Sequence, residues 1–312
     1  MPELPEVETI ARELRKKIIG LKITDFWSDR EKPISQAGGL EIFKKEIIGK
    51  KILSVDRRAK FIVIDIEGDR SLFIHQKISG HLMYGRWKRK FQIPSTKSQK
   101  NSKSKIQSSK QEWISSIPGS LKEDRENQYI RYIWTFNNGY QMAMSDLRRF
   151  SRIILVKDKD VAKLKEIRDL GPEPLEIKLP EFRELFRVKR GNLKPVLMDP
   201  FFIVGIGNIY SDEILWDAGL HPLSRAEKLK SRDLKSLYGS TLKILKKAVL
   251  LKGDSMDDYR LPSGEKGGYQ NFQKAYQQTG KKCSRKDGGI IHRLKISGRS
   301  AHFCSKHQKL IK

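Results

Sequence analysis

The residues with the clearest chemical potential open the chain, Met1-Pro2-Glu3-Leu4-Pro5-Glu6. Once the initiator methionine is removed, Pro2 presents a secondary amine. A free α-amino group titrates at about 7.7–8.0, against about 10.4 for a lysine, so an appreciable fraction is unprotonated at neutral pH. Such an amine can attack an aldehyde-like carbon and form an iminium, while Glu3 or Glu6 moves the protons. The alternative is an ordinary helix start, with proline in the first turn and Glu3, Glu6 and Glu8 set against the N-terminal dipole. Val7, Ile10, Ala11, Leu14 and Ile18 follow helical spacing and Gly20 suits a C′ position, so a helix is predicted either way. The two readings are compatible if the helix carries the amine into a cleft.

Other groups gain weight in company. Lys60 follows Arg57-Arg58-Ala59 at the entrance of the apolar run Phe61–Ile64; alone, it reads as a solvated edge charge. In Asp146-Leu147-Arg148-Arg149-Phe150, an arginine could read a base edge and an aromatic could fill an opened stack, as base flipping requires. The arginines could equally pair with Asp146 or neighbouring acids, and Phe150 could be core. Gly205-Ile206-Gly207 precedes a helix predicted to start at or near Asn208, where backbone N–H groups can hold a phosphate with Lys189, Arg190 and Lys194 nearby. Such turns also occur without ligands, and Asn208 could simply be an N-cap. The third glycine and parallel strand of a dinucleotide site are missing.

The chain must position these groups within 312 residues, enough for two domains. It carries 64 Lys+Arg against 37 Asp+Glu, a formal charge of +27, which favours a polyanionic partner, nucleic acid first. A basic ribosomal or membrane-surface protein is the alternative. No apolar run approaches the ~18 residues of a membrane span and no signal-peptide core is evident, so a cytoplasmic location is expected. Cys283 and Cys304 are too few for a disulfide scaffold and suit a metal site.

An α+β fold is predicted. Strands are expected over Ile23–Trp27, Lys51–Val55, Phe61–Ile66, Leu72–His75, Tyr129–Phe136 and Tyr140–Ser145, with turn residues between neighbours that imply an antiparallel sandwich or barrel. Helices are expected over Glu181–Arg190, Leu193–Asp199 and Asn208–Ala218, and Leu234, Leu237, Thr241, Leu245 and Ala248 mark a longer one. The expected domains are 1–170, 171–253, a loop and connector at 254–282, and a small β unit at 283–312. A basic insertion at about 90–125, centred on the Lys/Ser-rich tract Ser95–Lys110, cannot offset its ordering entropy and is expected to be disordered.

Taken together, MPELPEVET, RRAKF, HQKISG, DLRRF, LGPEPL, GIGNIY with Ser211-Asp212-Glu213, His221-Pro222, Gly298-Arg299 and Cys304 resemble bacterial formamidopyrimidine-DNA glycosylases, in order over essentially the whole chain. The resemblance implies an N-terminal β-sandwich with its N-terminal helix, a helix-two-turn-helix domain and a zinc-finger-like β-hairpin. It implies a monomeric bifunctional glycosylase and β,δ-lyase acting on oxidised purines in double-stranded DNA. By that resemblance Pro2 attacks C1′, Glu3 donates the proton that opens the sugar, Lys60 serves β-elimination and Arg299 serves δ-elimination and phosphate binding, with Glu6 orienting the site. Arg148 and Phe150 match residues that fill the gap left by the damaged nucleotide, and Asn208 and Lys194 match phosphate contacts. Lys189 falls near another DNA contact by spacing. Segment Arg260–Tyr269 falls where the family has a mobile loop over the flipped base.

The departures are specific. Ile78 replaces the usual third wedge residue, methionine, and is stiffer because it is β-branched. Leu147 and Ser151 replace a proline and a glycine, and Tyr129 stands where some relatives have a DNA-contacting histidine. Relatives use two C-x-x-C pairs for Zn2+; here Cys283, Cys304 and His307 are suitable ligands and Asp287 could be the fourth, against a metal-free hairpin that holds Arg299 by packing. The rival functions are an endonuclease VIII-like glycosylase for oxidised pyrimidines and a non-catalytic lesion-binding protein.

Overall fold

A computed structural model describes residues 1–29, 34, 38–90, 112–256 and 259–312. In chain order the first elements are α1 (Leu4–Ile18), β1 (Ile23–Ser28), α2 (Leu40–Ile47), β2 (Ile52–Arg58), β3 (Phe61–Ile66), β4 (Arg70–His75), β5 (Gly80–Gly85), β6 (Trp87–Lys90) and β7 (Glu112–Ser115). Then come β8 (Ile130–Phe136), β9 (Gln141–Asp146), β10 (Arg152–Lys157), α3 (Lys165–Arg168), α4 (Leu179–Val188), α5 (Leu193–Leu197), α6 (Asn208–Ala218), α7 (Ser231–Leu250), β11 (Ile291–Ile296) and β12 (Arg299–Cys304).

Two antiparallel four-stranded sheets, ordered β1-β8-β9-β5 and β10-β4-β3-β2, realise the expected sandwich. Their alternating apolar residues enclose one core, which the helical stripe Val7, Ile10, Ala11, Leu14 and Ile18 of α1 enters from the side. Leu4, at the start of the same helix, belongs instead to the second core, formed mainly by α4 to α7. Helix α1 therefore straddles both units and fixes Pro2 where they meet. A third cluster, Trp216, Ala275, Cys283, Ile291 and Cys304, seats the β11–β12 hairpin against α6. Its Ser297-Gly298 turn has positive φ at both residues, 47° and 80°, which makes a tight two-residue hairpin and sets Arg299 at the start of β12.

The prediction missed α2, β10 and the β5 strand, whose sequence GHLMYG begins and ends in glycine. Pairing of β5 with β9 along its whole length overrides that poor propensity. Residues 112–125 were assigned to the disordered insertion, whereas β7 pairs with β6, Trp113 packs edge-to-face on Trp27, and Leu121 is buried. Apolar residues scattered among charges supplied a core that composition concealed. The tract Ser95–Lys110 itself lies outside the described residues. Among those described, no helix is long and apolar enough to cross a membrane.

Candidate active site

Pro2 is buried between the two units and lines a cavity of about 230 Å³ with Glu6, Ile78, His81, Ile209, Asp254 and Tyr259. A second cavity, about 700 Å³, is lined by Lys60, His75, Gly207 and Arg299 among others. Met1 lines both, so the residue that caps the Pro2 nitrogen also stands where the two spaces meet.

Glu3 is held from the opposite domain. Its Oε2 accepts from the N–H groups of Gly207 at 2.8 Å and Tyr210 at 3.3 Å, and its Oε1 accepts from that of Ile209 at 2.9 Å. The unpaired donors and positive end of α6 thus receive a carboxylate of the same chain. This corrects the reading of the Gly205-Ile206-Gly207 turn as a phosphate cradle. A Cβ on Gly207 would stand 2.4 Å from the Glu3 carboxyl carbon, and one on Gly205 2.6 Å from Leu4 Cβ, so both glycines serve close approach of the N-terminal segment. Gly207 is also the N-cap, the role considered for Asn208. Asn208 is half-buried, and its side-chain oxygen is buried without a hydrogen-bond partner among the described residues.

Glu6 lies beneath. Its Oε2 accepts from the Glu3 N–H at 2.8 Å, and its Oε1 from the Tyr210 hydroxyl at 2.5 Å and the Asp254 N–H at 2.8 Å. Burial, and next the neighbouring Glu3 carboxylate, push Glu6 up to about 7 against the pull of these donors. Glu6 therefore fixes the backbone on either side of the reacting centre.

Lys60 follows Ala59, which takes a positive φ of 54°, and its Nζ donates to the Ile206 carbonyl at 3.3 Å. Burial lowers its pKa, opposed by Glu3 and reinforced by Arg299. The two arginines before it do structural work. Arg57 and Arg58 pair with the buried Glu173 at 2.6 and 3.1 Å, and Glu173 also accepts the Ala59 N–H at 2.7 Å. One carboxylate from the LGPEPL linker thereby pins the turn that carries Lys60. His75, in the same cavity, is pushed down to about 3, chiefly by burial and then by Lys77, and stays neutral.

Ile78 and Phe150 are 48% and 50% exposed, large apolar side chains left outside the core. The Arg148 guanidinium stacks 4.8 Å from the Phe150 ring centre, and Arg149 pairs with Asp29 rather than Asp146. Fully buried Asp146 joins the two loops. It accepts from Ser79 Oγ at 2.6 Å and the Ser151 N–H at 2.7 Å, and Ser79 Oγ in turn accepts the Arg148 N–H at 3.0 Å. Tyr129 is half-buried at the end of the 3-10 segment Arg125–Tyr129.

Lys189 and Lys194 are already paired. Lys189 meets Asp199 at 2.6 Å; Lys194, 1% exposed, meets Asp212 at 2.5 Å. Lys194 is thus not offered to a phosphate as the expectation required, because burial beside Asp212 commits it internally. Asp212 also accepts from the His302 N–H at 3.0 Å and lies 2.8 Å from His302 Nδ1, tying α5 and α6 to the strand that carries Arg299. Sequence reading missed Glu173, Asp146 and Asp212 as positioning groups. All three are buried acids, which must find partners, but only Glu173, between Pro172 and Pro174, has apolar neighbours in the sequence to signal it.

Glu213 is a fourth such acid and accepts the N–H groups of Lys274, Ala275 and Tyr276. Burial nevertheless pushes it up to about 7 from 4.5. Between those values the folded protein binds more protons than the unfolded chain, so this group's contribution to stability falls from about pH 4.5 to about 7 and is constant above. Glu213→Gln keeps an accepting oxygen and removes the titration. Relative to wild type, its unfolding free energy in urea should rise across that window by about 3 kcal/mol; a difference independent of pH would contradict the assignment.

In the hairpin, Cys283, Asp287, Cys304 and His307 each place a ligand atom within 4.8 Å of the others. Asp287, the candidate fourth ligand, is inside the cluster. His307 Nε2 lies 3.0 Å from the Trp216 carbonyl, so an Nε2–H donated there leaves the Nδ1 lone pair facing the cluster. Cys283 Sγ is 3.5 Å from that Nδ1 and Cys304 Sγ 3.6 Å from Asp287 Oδ2. Both match the edge of about 3.5 Å expected of tetrahedral zinc with these ligands. His307 Nδ1 and Asp287 Oδ2, at 2.8 Å, would have to part slightly. The donor set can hold a metal ion.

Residues 1–153 match the model of the formamidopyrimidine-DNA glycosylase N-terminal domain, and residues 170–260 that of the formamidopyrimidine-DNA glycosylase H2TH domain. The chain belongs to the formamidopyrimidine-DNA glycosylase family. A formamidopyrimidine-DNA glycosylase of Pelotomaculum thermopropionicum is 33% identical over 312 residues, 99% of this chain and 100% of the relative. Among solved structures, a Lactococcus lactis Fpg mutant in complex with a Fapy-dG-containing DNA is 30% identical, with a TM-score of 0.79 over 99% of this chain and 100% of that one. The Lactococcus lactis Fpg in complex with an abasic-site-containing DNA gives 0.78 at 30% identity, over 98% and 99% of the two chains.

Proposed function

We propose that the protein is a base-excision-repair DNA glycosylase with abasic-site lyase activity, acting on oxidised purines in duplex DNA. The carrying observation is the buried Pro2–Glu3 pair, with Glu3 seated on the N-terminus of α6 and Lys60 and Arg299 lining the adjoining cavity. Ile78, Arg148 and Phe150 enter the stack vacated by the flipped nucleotide. With Met1 removed, the Pro2 nitrogen attacks C1′ while Glu3 protonates the ring oxygen, so the C1′–O4′ bond breaks and the sugar opens. The base then leaves with its electron pair and the proton given up by the Pro2 nitrogen, and the iminium remains. Lys60, whose ammonium burial makes more acidic and whose neutral form it makes more accessible, takes the C2′ proton and gives one to the departing 3′ phosphate. Arg299 binds phosphate as loss of the C4′ hydrogen expels the 5′ phosphate. Asn208 and the exposed edge of Tyr129 add phosphate contacts; Lys189 does so on exchanging Asp199 for DNA.

Zinc is the ion assigned to Cys283, Asp287, Cys304 and His307. When bound it supplies structural closure of the hairpin, which holds Arg299 at the cavity. Chelator-free protein should contain about one zinc per chain, and absence of stoichiometric zinc would remove that assignment. On the same sample, excision of 8-oxoguanine and of a formamidopyrimidine opposite cytosine, with analysis of the cut ends, tests the activity. Efficient release of oxidised pyrimidines alone would favour the endonuclease VIII-like alternative, and tight lesion binding without cleavage a non-catalytic protein.

A further inference from the structure

The β6–β7 hairpin covers the outward face of the β1-β8-β9-β5 sheet, with Trp87 and Leu121 in a small core shared with Met83, Ile130 and Ile133. Above that core Arg89 faces Trp113 across the hairpin. Its guanidinium lies 5.2 Å from the Trp27 ring centre and 5.3 Å from that of Trp113, while the two indoles meet edge-to-face at 4.9 Å. Arg89 is exposed, and among the described residues it has no carboxylate partner, unlike Arg57, Arg58, Arg131 and Arg149. A guanidinium ordered by two rings loses little further freedom on binding, and the rings leave its in-plane N–H groups available.

This patch adjoins the wedge. Two residues beyond Trp27, the Asp29 carboxylate accepts from Arg131 at 3.0 Å and lies 3.4 Å from Arg149 Nη2. Arg149 stands between Arg148 and Phe150, so one ion-pair cluster joins the patch to the residues assigned to the opened stack. We propose that Arg89, held between Trp27 and Trp113, contacts the sugar-phosphate backbone of duplex DNA outside the lesion, extending the interface along the β sheet. The inference rests on the DNA-glycosylase reading and adds a contact to it. Charge and continuity select the occupant: Lys88 and Arg89 are adjacent exposed cations, and the Asp29 ion pairs link their patch to the segment that carries the wedge.

The test is a salt titration of binding to a duplex carrying a tetrahydrofuran abasic analogue, with wild type, Arg89→Gln and Arg89→Lys. Loss of one phosphate contact should lower the slope of log Kd against log salt by about 1 in Arg89→Gln, while Arg89→Lys retains the slope. Single-turnover excision at saturating enzyme should be unchanged in both variants, which also reports an intact fold. Unaltered affinity and slope in Arg89→Gln, with normal wild-type excision, would overturn the contact and leave the glycosylase reading standing, as expected if the patch instead serves an acidic protein. Wild type that binds the duplex but excises nothing would overturn the glycosylase reading, while the slope still decides the contact.

Discussion

A peptide extension retained in front of Pro2 is expected to abolish borohydride trapping of the protein on 8-oxoguanine DNA, with at least about a 10³-fold fall in covalent complex. The extension turns the Pro2 nitrogen into a tertiary amide, whose lone pair is delocalised and cannot form an iminium. It also fills space, because Met1 already lines both cavities around the site. Lys60 does not replace the amine: burial favours its neutral form, but its Nζ is held by its hydrogen bond to the Ile206 carbonyl at 3.3 Å. Trapping that survives undiminished would refute Pro2 as nucleophile. Trapping restored after proteolytic removal of the extension completes the case.

Glu3→Gln is expected to slow single-turnover base release by about 10²–10⁴-fold, the usual contribution of a positioned proton donor. The change also disturbs geometry. The Glu3 carboxylate accepts three backbone N–H groups through two oxygens, whereas an amide offers one oxygen and turns its NH₂ toward a donor. That mismatch should cost about 1–3 kcal/mol in stability. The diagnostic is a split between substrates. A preformed abasic site already equilibrates with its open aldehyde, so its cleavage should fall much less than base release. Equal loss on both substrates would point to a disrupted fold and remove Glu3 from the proton-transfer role.

The amphipathic stripe of α1, the boundaries of β3 and α6, and the sandwich were legible because local periodicity and tertiary burial agree there. The basic segments were not. RRAK looks like a surface charge cluster, yet Arg57 and Arg58 close on Glu173, more than a hundred residues away in the chain. Lys194 looked like a phosphate contact and is enclosed with Asp212. In each case the deciding partner is a single acid placed by tertiary packing, across the two domains for Glu173 and between α5 and α6 for Asp212, information that spacing does not carry. The glycine turn before α6 shows the same limit: its N–H groups do face an anion, but the anion is Glu3. Asp287 was one residue out of the expected finger spacing, and the turn from Cys283 to Gly289, ahead of β11, brings it level with His307.

The hydrogen bonds from α6 to Glu3 span more than two hundred positions of sequence. During synthesis the reactive terminus therefore emerges first, and the turn that seats its carboxylate emerges only after most of the chain has been made. The sandwich can complete much of its core meanwhile, but Leu4 and Glu3 wait for Gly205 and Gly207. A nascent or truncated chain lacking α6 would carry the amine with its acid unseated, so assembly order itself withholds the chemistry until the second domain has docked.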